Sequence, residues 1–195
     1  MKLLHLDSSI TGEDSVTRRL SARIVENLRQ AYPGISIHYR DLASHPLPHH
    51  RLAHGNDEDR GGAEAVLAEF LDADVVVIGA PMYNFAIPSQ LKAWVDSILV
   101  AGKTFRYTER GVPEGLAGGK RVIVASSRGG VYSDGPYASL DHQEKYLRTV
   151  FGFIGITDVE FVRAEGVAHG SDARRQAIDG ALTHSDTIHR ERVAA

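Results

Sequence analysis

The chain has 195 residues, of which 43% are hydrophobic and 24% charged, a composition that fits one globular domain with a sizeable core. Lysine and arginine number 22 against 25 aspartate and glutamate residues. The resulting net charge of −3 argues against a nucleic-acid binder, which usually carries a basic excess on one face. The absence of cysteine excludes disulfides, thiolate catalysis and cysteine-ligated metal.

Short aliphatic runs alternate with longer amphipathic ones in the first half of the chain. Residues 3–6 predict a strand, and residues 15–31 predict a helix because apolar side chains recur there every four positions. Residues 35–39 alternate at the period of a strand. Residues 42–56 lack periodicity and are rich in proline and histidine, which predicts a loop, and residues 61–71 return to a helical pattern.

The second half of the chain repeats this rhythm. Residues 74–80 are apolar on both faces, as a central parallel strand must be. Pro88 opens a helix that we expect to run through residue 100, and a loop rich in glycine and charge spans residues 102–119. The remaining predicted elements are a strand at 121–125, a helix at 140–153, a strand at 158–162 and a helix at about 172–190.

Five strands separated by helices predict an α/β fold, a doubly wound parallel sheet with helices on both faces. No linker composition interrupts the pattern, so residues 1–195 are predicted to form a single domain. The N-terminus turns polar too soon for a signal peptide, and no apolar run approaches membrane-spanning length. We therefore expect a cytoplasmic protein without a membrane or nucleic-acid partner. Ligands of such sheets bind at the carboxyl ends of the strands, so we expect the functional residues in the loops that follow strands.

The loop after the first predicted strand, residues 8–17, is dense in hydroxyl groups and ends at a helix N-terminus. Free N–H groups and the helix dipole favour an anion at such a place. The loop contains neither G-x-x-x-x-G-K-[ST] nor G-x-G-x-x-G, so the anion it suits is a single terminal phosphomonoester. The alternative is that Asp14 or Ser15 only caps the helix.

Two large aromatic residues and a thioether follow the third predicted strand, where a polar turn is usual: Met82, Tyr83 and Phe85 surround Asn84. The asparagine offers both a donor and an acceptor, and its neighbours offer flat or adaptable apolar surface. Together they predict a bed for a planar heteroaromatic ring, held by stacking and by hydrogen bonds at its edge. The alternative is that some of these side chains, Met82 above all, pack under the loop as ordinary core.

Paired glycines mark the loop after the fourth predicted strand, in the sequence Ser126-Ser127-Arg128-Gly129-Gly130. Glycine lets the backbone approach a ligand closely or adopt a positive φ. Arg128 is a candidate for a carbonyl edge or another anion of the ligand, and the alternative is an exposed surface arginine. The three loops together form the layout of a flavin mononucleotide site in a flavodoxin-like sheet.

The residues in these loops resemble the FMN-dependent NADH azoreductases, also described as NADH:quinone oxidoreductases. The resemblance extends in order over nearly the whole chain. The matching segments are residues 8–10, 81–85, 90–92, 104–109, 127–130 and 152–158. The chain departs from the family at Thr17, where a second serine is frequent, and in a shorter, histidine-rich region at 42–62.

The resemblance implies a role for each matching position. The implied phosphate contacts are Ser9, Ser15, Val16 and Thr17. The implied contacts of the flavin ring are Met82, Tyr83, Asn84, Phe85, Ser127, Arg128, Gly129 and Gly130. The resemblance also implies a homodimer with its active sites at the subunit interface, where Phe85, Tyr107 and Phe153 wall the space for substrate, some of them from the partner subunit.

The implied activity is a two-electron, ping-pong reduction in which NADH delivers a hydride to bound FMN and a quinone or azo compound then accepts the electrons. No side chain is assigned as a nucleophile or proton donor, because solvent can protonate a reduced quinone. The choice of NADH over NADPH rests on the resemblance alone, and the physiological acceptor stays open.

Two alternatives stay open at the level of sequence. The histidine-rich loop carries His45, His49, His50 and His54, which could bind a metal, but their irregular spacing and the lack of cysteine lead us to predict no metal site. A flavodoxin-type electron carrier without a small-molecule substrate is the alternative to an enzyme. Such carriers tend to be strongly acidic, and a charge of −3 gives that alternative weak support.

Overall fold

The structure is a computed structural model, and it describes residues 1–49 and 57–188. Strands and helices alternate along the chain, each strand from an aliphatic run and each helix from an amphipathic one. In chain order the elements are β1 (Lys2–Asp7), α1 (Val16–Ala31), β2 (Ser36–Asp41), α2 (Asp57–Asp72), β3 (Val75–Pro81), α3 (Ser89–Ile98), β4 (Phe105–Tyr107), β5 (Pro113–Gly115), β6 (Arg121–Ser127), α4 (Gln143–Phe153), β7 (Asp158–Ala164) and α5 (Ser171–Ser185).

Five of these strands form one parallel sheet in the order β2-β1-β3-β6-β7. The chain winds from β1 outward to β2, returns to β3 on the other side of β1, and then continues in that second direction. The switch in direction between β1 and β3 is the place where flavodoxin-like sheets bind their ligands. The predicted α/β class and the five-stranded, doubly wound parallel sheet are therefore confirmed.

The helices cover both faces of the sheet, and one apolar cluster lies between sheet and helices on each face. On one face α2, α3 and α4 pack around Phe70, Trp94 and Phe151, which are fully buried. On the other face α1 and α5 pack through residues such as Ile24 and Ile178. The central strand β3 is buried at all seven residues because it lies between both layers. Its continuous aliphatic sequence follows from that position.

A β-hairpin occupies the region 102–119 that we predicted to be a loop. The antiparallel strands β4 and β5 are three residues each, too short to show a period in a stretch rich in glycine and charge. The hairpin packs on the end of α4, where a Cβ on Gly115 would overlap the backbone of Gly155. Gly155 itself has φ +93°, a conformation that only glycine adopts without strain.

The other differences concern the ends of elements. Residues 135–140 form a 3₁₀ turn, so α4 begins at Gln143 and not at residue 140 as predicted. Helix α5 ends at Ser185, and the last predicted helical residues, 189 and 190, lie outside the described residues. The predicted loop at 42–56 is described only as far as residue 49.

Gly79 of β3 allows a buried carboxylate to lie over the middle of the sheet. Asp7, at the end of β1, is 3% exposed, and its Oδ1 accepts a hydrogen bond of 2.8 Å from the Ser21 hydroxyl. A Cβ built on Gly79 would overlap that same Oδ1 atom. The contact joins β1, β3 and α1 directly beneath the loop at residues 8–15.

We expect Gly79→Ala to destabilise the fold by about 1–3 kcal/mol, because the added methyl group must displace a buried carboxylate that already has a partner. Gly152→Ala is the matched control, since Gly152 lies on α4 and a Cβ added there would meet no atom within 4 Å outside its own helix. Alanine in a helix is favoured over glycine by about 0.5–1 kcal/mol. Urea unfolding of both variants measures the difference, and equal midpoints would contradict the role given to Gly79.

Candidate functional site

The carboxyl ends of β1, β3, β6 and β7 send four loops to the same edge of the sheet. Two main-chain hydrogen bonds extend the strand pairing into these loops, from Ser8 N–H to Gly79 O at 3.1 Å and from Met82 N–H to Ser127 O at 2.8 Å. The three loops that we predicted to bind a phosphate, a planar ring and the edge of that ring therefore leave the sheet side by side. They are residues 8–17, 82–85 and 126–130. The structure brings them together, as parallel strands require.

A cavity of about 290 Å³ lies among these loops at the switch point of the sheet. Its walls are mostly neutral hydroxyl and apolar side chains, with one acid and one arginine. They include Ser9, Thr11, Asp14, Ser15, Met82 and Arg174. The predicted phosphate residues Ser9, Ser15 and Val16 line this cavity, whereas the Thr17 hydroxyl is buried and lies 3.1 Å from the Ser15 hydroxyl.

The N-terminus of α1 faces this cavity with free donors. Ser15 is the N-cap, and its hydroxyl accepts from the Arg18 N–H at 3.2 Å, while its carbonyl accepts from the Arg19 N–H. No acceptor for the N–H groups of Val16 and Thr17 occurs in the described part of the chain. Helix capping and anion binding, the two interpretations of this loop, are therefore compatible. Ser15 caps the helix and still leaves the N–H groups of Val16 and Thr17 for an anion.

Tyr83 joins the loop after β3 to the loop after β1. Its hydroxyl accepts a hydrogen bond from the Ile10 N–H at 3.2 Å and lies 3.4 Å from the Ser9 hydroxyl. The ring is half-buried between the 290 Å³ cavity and a larger one. Tyr83 therefore forms a wall of the candidate site and fixes the loop that carries Ser9.

Residues 83–86 form a tight hairpin turn. Tyr83 and Ala86 exchange two main-chain hydrogen bonds of 3.0 Å each, and the two residues between them, Asn84 and Phe85, have φ values of 48° and 70°. Positive φ at both central positions is the type I′ arrangement, which asparagine tolerates and phenylalanine adopts only with strain. The turn leaves the N–H groups of Asn84 and Phe85 without an acceptor among the described residues.

The paired glycines hold their carbonyl groups away from the site. Gly129 O accepts from the Ala168 N–H at 3.1 Å, and Gly130 O accepts from the Gly166 N–H at 2.9 Å. Their own N–H groups have no acceptor in residues 1–49 and 57–188. Neither glycine has a positive φ, so of the two roles that we predicted for them only close approach of the backbone is compatible with the structure.

A second cavity, of about 710 Å³, begins where the first one ends, and Gly129 lines both. Phe85 forms part of its wall and meets the Tyr132 ring edge-on, with the ring centroids 6.1 Å apart. Tyr137 and His169 lie on other sides of this cavity. Polar donors thus lead from a small hydroxyl-lined cavity to a wider aromatic one, a shape that fits a phosphorylated chain ending in a planar ring.

Arg128 lines neither the 290 nor the 710 Å³ cavity of the candidate site, so the structure gives no support to our prediction that it contacts a flavin ring. It is 1% exposed and lies 3.1 Å from both Asp141 and Glu165, with Glu144 as a third ion-pair partner. Its main chain is also occupied, since its N–H donates to Ala164 O. The alternative of an exposed surface arginine is wrong, because Arg128 is buried among these acids.

The cluster formed by Arg128 with Asp141, Glu144 and Glu165, called here the Arg128 cluster, supports the wall of the second cavity. Glu165 accepts from the N–H groups of Tyr132 and Ser133, at 2.8 and 3.0 Å, and so ties the loop after β6 to the end of β7. Burial favours a higher pKa for Glu165, but the hydrogen bonds from Ser133 and Tyr132 and the charge of Arg128 outweigh it and lower the pKa overall. Asp141 caps α4 through the N–H groups of Gln143 and Glu144.

Tyr107 and Phe153 do not lie beside Phe85 within one chain. Phe105 contacts both of them, at centroid distances of 5.9 Å to Tyr107 and 4.8 Å to Phe153, in a cluster between the β4–β5 hairpin and the end of α4. Neither residue lines the 290 or the 710 Å³ cavity. The substrate wall that we predicted from these three residues is thus not formed inside a single subunit.

Sequence reasoning missed Arg18, which holds the loop after β1 in place. Its guanidinium donates to Ser9 O at 2.9 Å and to Asp41 Oδ1 at 2.8 Å. The hydrogen bond from Arg18 is the main reason that the pKa of Asp41 lies well below its usual range. The helical pattern of residues 15–31 places Arg18 on a polar face of the helix. It does not indicate that Asp41, at the end of β2, lies within hydrogen-bond distance of Arg18.

A third and larger cavity, of about 870 Å³, opens on the outer side of the turn at residues 83–86. Asn84, Ile87 and Pro88 line it together with residues of α3 and α4. Tyr146 lies there half-buried, and burial raises the pKa of its hydroxyl to about 12, so it stays protonated at neutral pH. The wall is mainly apolar, with lysines at positions 92 and 145.

Metal-binding and membrane-spanning features are absent from the part of the chain that the structure describes. No group of three or more metal-ligating side chains occurs in the described ranges, where His45 and His49 belong to the histidine-rich loop and His50 and His54 fall outside them. No helix in residues 1–49 or 57–188 is long and apolar enough to cross a membrane.

The chain matches a family with a flavodoxin-like fold over residues 1–187. It therefore belongs to this flavodoxin-like family, as its sheet order and the position of its cavities indicate.

Two relatives and one solved structure to which the chain is similar are named as FMN-dependent oxidoreductases that use NADH. The chain is 58% identical over 185 residues to the FMN-dependent NADH:quinone oxidoreductase 1 of Xanthomonas euvesicatoria pv. vesicatoria, with 93% of each chain covered. It is 51% identical to the FMN-dependent NADH:quinone oxidoreductase of Ralstonia nicotianae, with 100% of each covered. A solved FMN-dependent NADH-azoreductase from Bacillus anthracis, in complex with FMN, superimposes with a TM-score of 0.88 at 27% identity, covering 100% of this chain and 99% of that one.

We expect Arg128→Met to destabilise the fold by about 3–5 kcal/mol, because it leaves the carboxylates of Asp141, Glu144 and Glu165 partly buried without their common partner. The control is Arg175→Met, which breaks an exposed ion pair with Asp172 and should cost no more than about 1 kcal/mol. Thermal and urea unfolding at pH 7 measure both effects. An Arg128→Met protein as stable as the control would show that the cluster does not support the loop.

Proposed function

We propose that the protein is an FMN-dependent NADH:quinone oxidoreductase that also reduces azo compounds. The observation that carries the proposal is the continuous pair of cavities at the β1–β3 switch point, which offers hydroxyl and N–H donors at one end and aromatic walls at the other. Relatives at 51–58% identity over almost the whole chain carry the same name, and an azoreductase with bound FMN has the same fold.

The phosphate of FMN is assigned to the 290 Å³ cavity. Ser9 and Ser15 supply hydroxyl groups there, and Val16 and Thr17 supply the free N–H groups of the α1 N-terminus. Thr17 contributes its N–H and supports the Ser15 hydroxyl, which suits its buried side chain. Neutral donors at a helix N-terminus favour an anion without a basic motif, and this supports a phosphomonoester at that position.

The ring of FMN is assigned to the space between the turn at residues 82–85 and the loop at residues 127–130. The free N–H groups of Asn84, Phe85, Gly129 and Gly130 are donors for the carbonyl and nitrogen edge of the ring. Met82 and Tyr83 give it apolar surface, and Ser127 lies at the end of β6 beside them. Arg128 takes no part, because its side chain and its N–H are both engaged elsewhere.

Bound FMN supplies the two-electron chemistry that carries a hydride from NADH to the acceptor. The chain's own residues bind and orient the reacting groups, and none is assigned as a nucleophile or proton donor. The strained turn fixes where Phe85 and the Asn84 N–H lie, since two main-chain hydrogen bonds and the bond from the His142 N–H to Phe85 O at 3.1 Å hold it. Planar quinones and azo compounds fit the aromatic space at Phe85 and Tyr132.

A homodimer completes the proposed substrate space. The apolar 870 Å³ cavity beside the turn is a surface that a second copy of the chain would cover, and Phe85 remains 43% exposed in one subunit. Tyr107 is 62% exposed on the β4–β5 hairpin, and in the proposed dimer it extends from one subunit toward the site of the other, while Phe153 packs against Phe105 of the hairpin. A single domain over residues 1–195 and a cytoplasmic location are further parts of the proposal.

The purified protein should be yellow, and the flavin released from it by denaturation should be FMN. With NADH it should reduce quinones and azo dyes over many turnovers in the absence of any other protein, and assaying the two acceptor classes side by side gives their relative rates. A colourless protein that takes up no added FMN would refute the cofactor assignment. Flavin that only a partner protein can reoxidise would instead identify an electron carrier.

Replacing Asn84 tests the turn and its side chain separately. Asn84→Gly keeps a residue suited to φ 48° and removes the amide, so we expect it to weaken FMN binding by about 1–3 kcal/mol if a buried partner is left unpaired. Asn84→Leu removes the amide and also strains the turn, so its loss should be larger. Fluorescence titration with FMN measures both. An unchanged affinity in Asn84→Gly would limit Asn84 to its role in the turn.

A further inference from the structure

Arg174 is a basic side chain that the fold brings to the phosphate cavity from the far end of the sequence. It lies in the first turn of α5, which follows β7, and it is one of the residues that line the 290 Å³ cavity. Its Nη2 donates to the carbonyl of Asp14 at 3.3 Å. No acid within ion-pair distance of Arg174 occurs in the described ranges, and its other guanidinium N–H groups are free there.

Arg18 is the other arginine beside this loop, and both of its terminal guanidinium nitrogens already have partners. It forms ion-pair hydrogen bonds with Asp41 and donates to Ser9 O. Turning it toward an anion would break a partly buried ion pair, which is costly. Arg174 has no such partner to leave, since it would exchange only one long hydrogen bond to a neutral carbonyl. A charge-assisted bond to phosphate is roughly twice as strong as a bond between neutral groups.

The charge of the cavity lining depends on Arg174. Two ionisable side chains of opposite sign line the cavity within the described residues, Asp14 and Arg174, and their charges of −1 and +1 cancel. Without Arg174 the lining would carry −1 beside a phosphomonoester of about −1.5 to −2 at pH 7. Hydroxyl and N–H donors at the α1 N-terminus can bind such a group, but they carry no full positive charge. Arg174 therefore adds to the attraction of the α1 N-terminus for the anion and offsets the repulsion from Asp14.

We propose that Arg174 binds the phosphate of FMN and gives the protein its selectivity for FMN over riboflavin, the same flavin without the phosphate. The inference rests on the proposed function, because it concerns the site assigned there to the phosphate. The one hydrogen bond of the Arg174 side chain goes to Asp14, in the loop assigned to the phosphate, so we expect the ring donors at residues 84–85 and 129–130 to be unaffected by a change at Arg174.

The test is a titration of flavin-free, full-length protein with FMN and, separately, with riboflavin. Arg174→Gln should weaken FMN binding about tenfold and leave riboflavin binding unchanged. Arg174→Lys keeps the charge but not the planar pair of donors. Its affinity for FMN should therefore lie between that of the wild-type protein and that of Arg174→Gln. Added salt should weaken FMN binding in the wild-type protein more than in Arg174→Gln.

Arg175→Gln is the matched control, because Arg175 is the next residue on α5, is exposed, and pairs with Asp172 at 2.8 Å outside the cavity. It should bind both flavins as the wild-type protein does. Equal weakening of FMN and riboflavin in Arg174→Gln would overturn the inference by showing that Arg174 only supports the loop at Asp14. Unchanged FMN binding in Arg174→Gln would overturn it too, while leaving the proposed function intact. A wild-type protein that binds neither flavin would refute both.

Discussion

The position of β3 between β1 and β6 is the constraint on which the candidate site depends. Its register pairs Gly79 with Asp7 of β1 and Pro81 with Ser127 of β6, so the three strands end together. The loops that leave them have no freedom to separate, since main-chain hydrogen bonds continue the pairing for one more residue on each side. The hydroxyl-rich loop at residues 8–17, the turn at residues 83–86 and the loop with paired glycines thus meet because of strand register, before any ligand is considered.

That rigid edge also explains why a strained turn persists. Phe85 at φ 70° costs about 1–2 kcal/mol relative to a relaxed backbone. The main-chain bonds between Tyr83 and Ala86 and from His142 to Phe85 fix the conformation and offset this cost. The result is an aromatic ring that stays 43% exposed at the mouth of the second cavity. Strain held at a point of aromatic exposure is typical of sites that contact a ligand.

The strands and helices that show a regular spacing of apolar residues could be predicted from the sequence. Elements that depend on contacts between residues far apart in the sequence could not. Continuous aliphatic runs identified the central strands, because a strand buried on both faces has little alternative composition. The β4–β5 hairpin was not predicted, because two strands of three residues each are too short to show a periodic pattern. Glycine is needed at position 115 only because the backbone of Gly155 lies so close to it, and the sequence does not reveal that contact. The loops in which we expected the site do lie together around the cavities, because they follow strands, whereas that rule does not determine the contacts of individual side chains.

Two arginines show the limit of such reasoning most clearly. Arg128 stands next to paired glycines in a binding loop, yet Asp141, Glu144 and Glu165 surround it, so its charge is used inside the fold. Arg174 stands in an ordinary helical pattern, yet it lines the cavity and meets only the carbonyl of Asp14 among the described residues. An arginine's availability is set by the acids within about 4 Å, and in this chain those acids lie 13 to 37 residues from Arg128. The cation left without an acid is therefore the one that a bound anion can use.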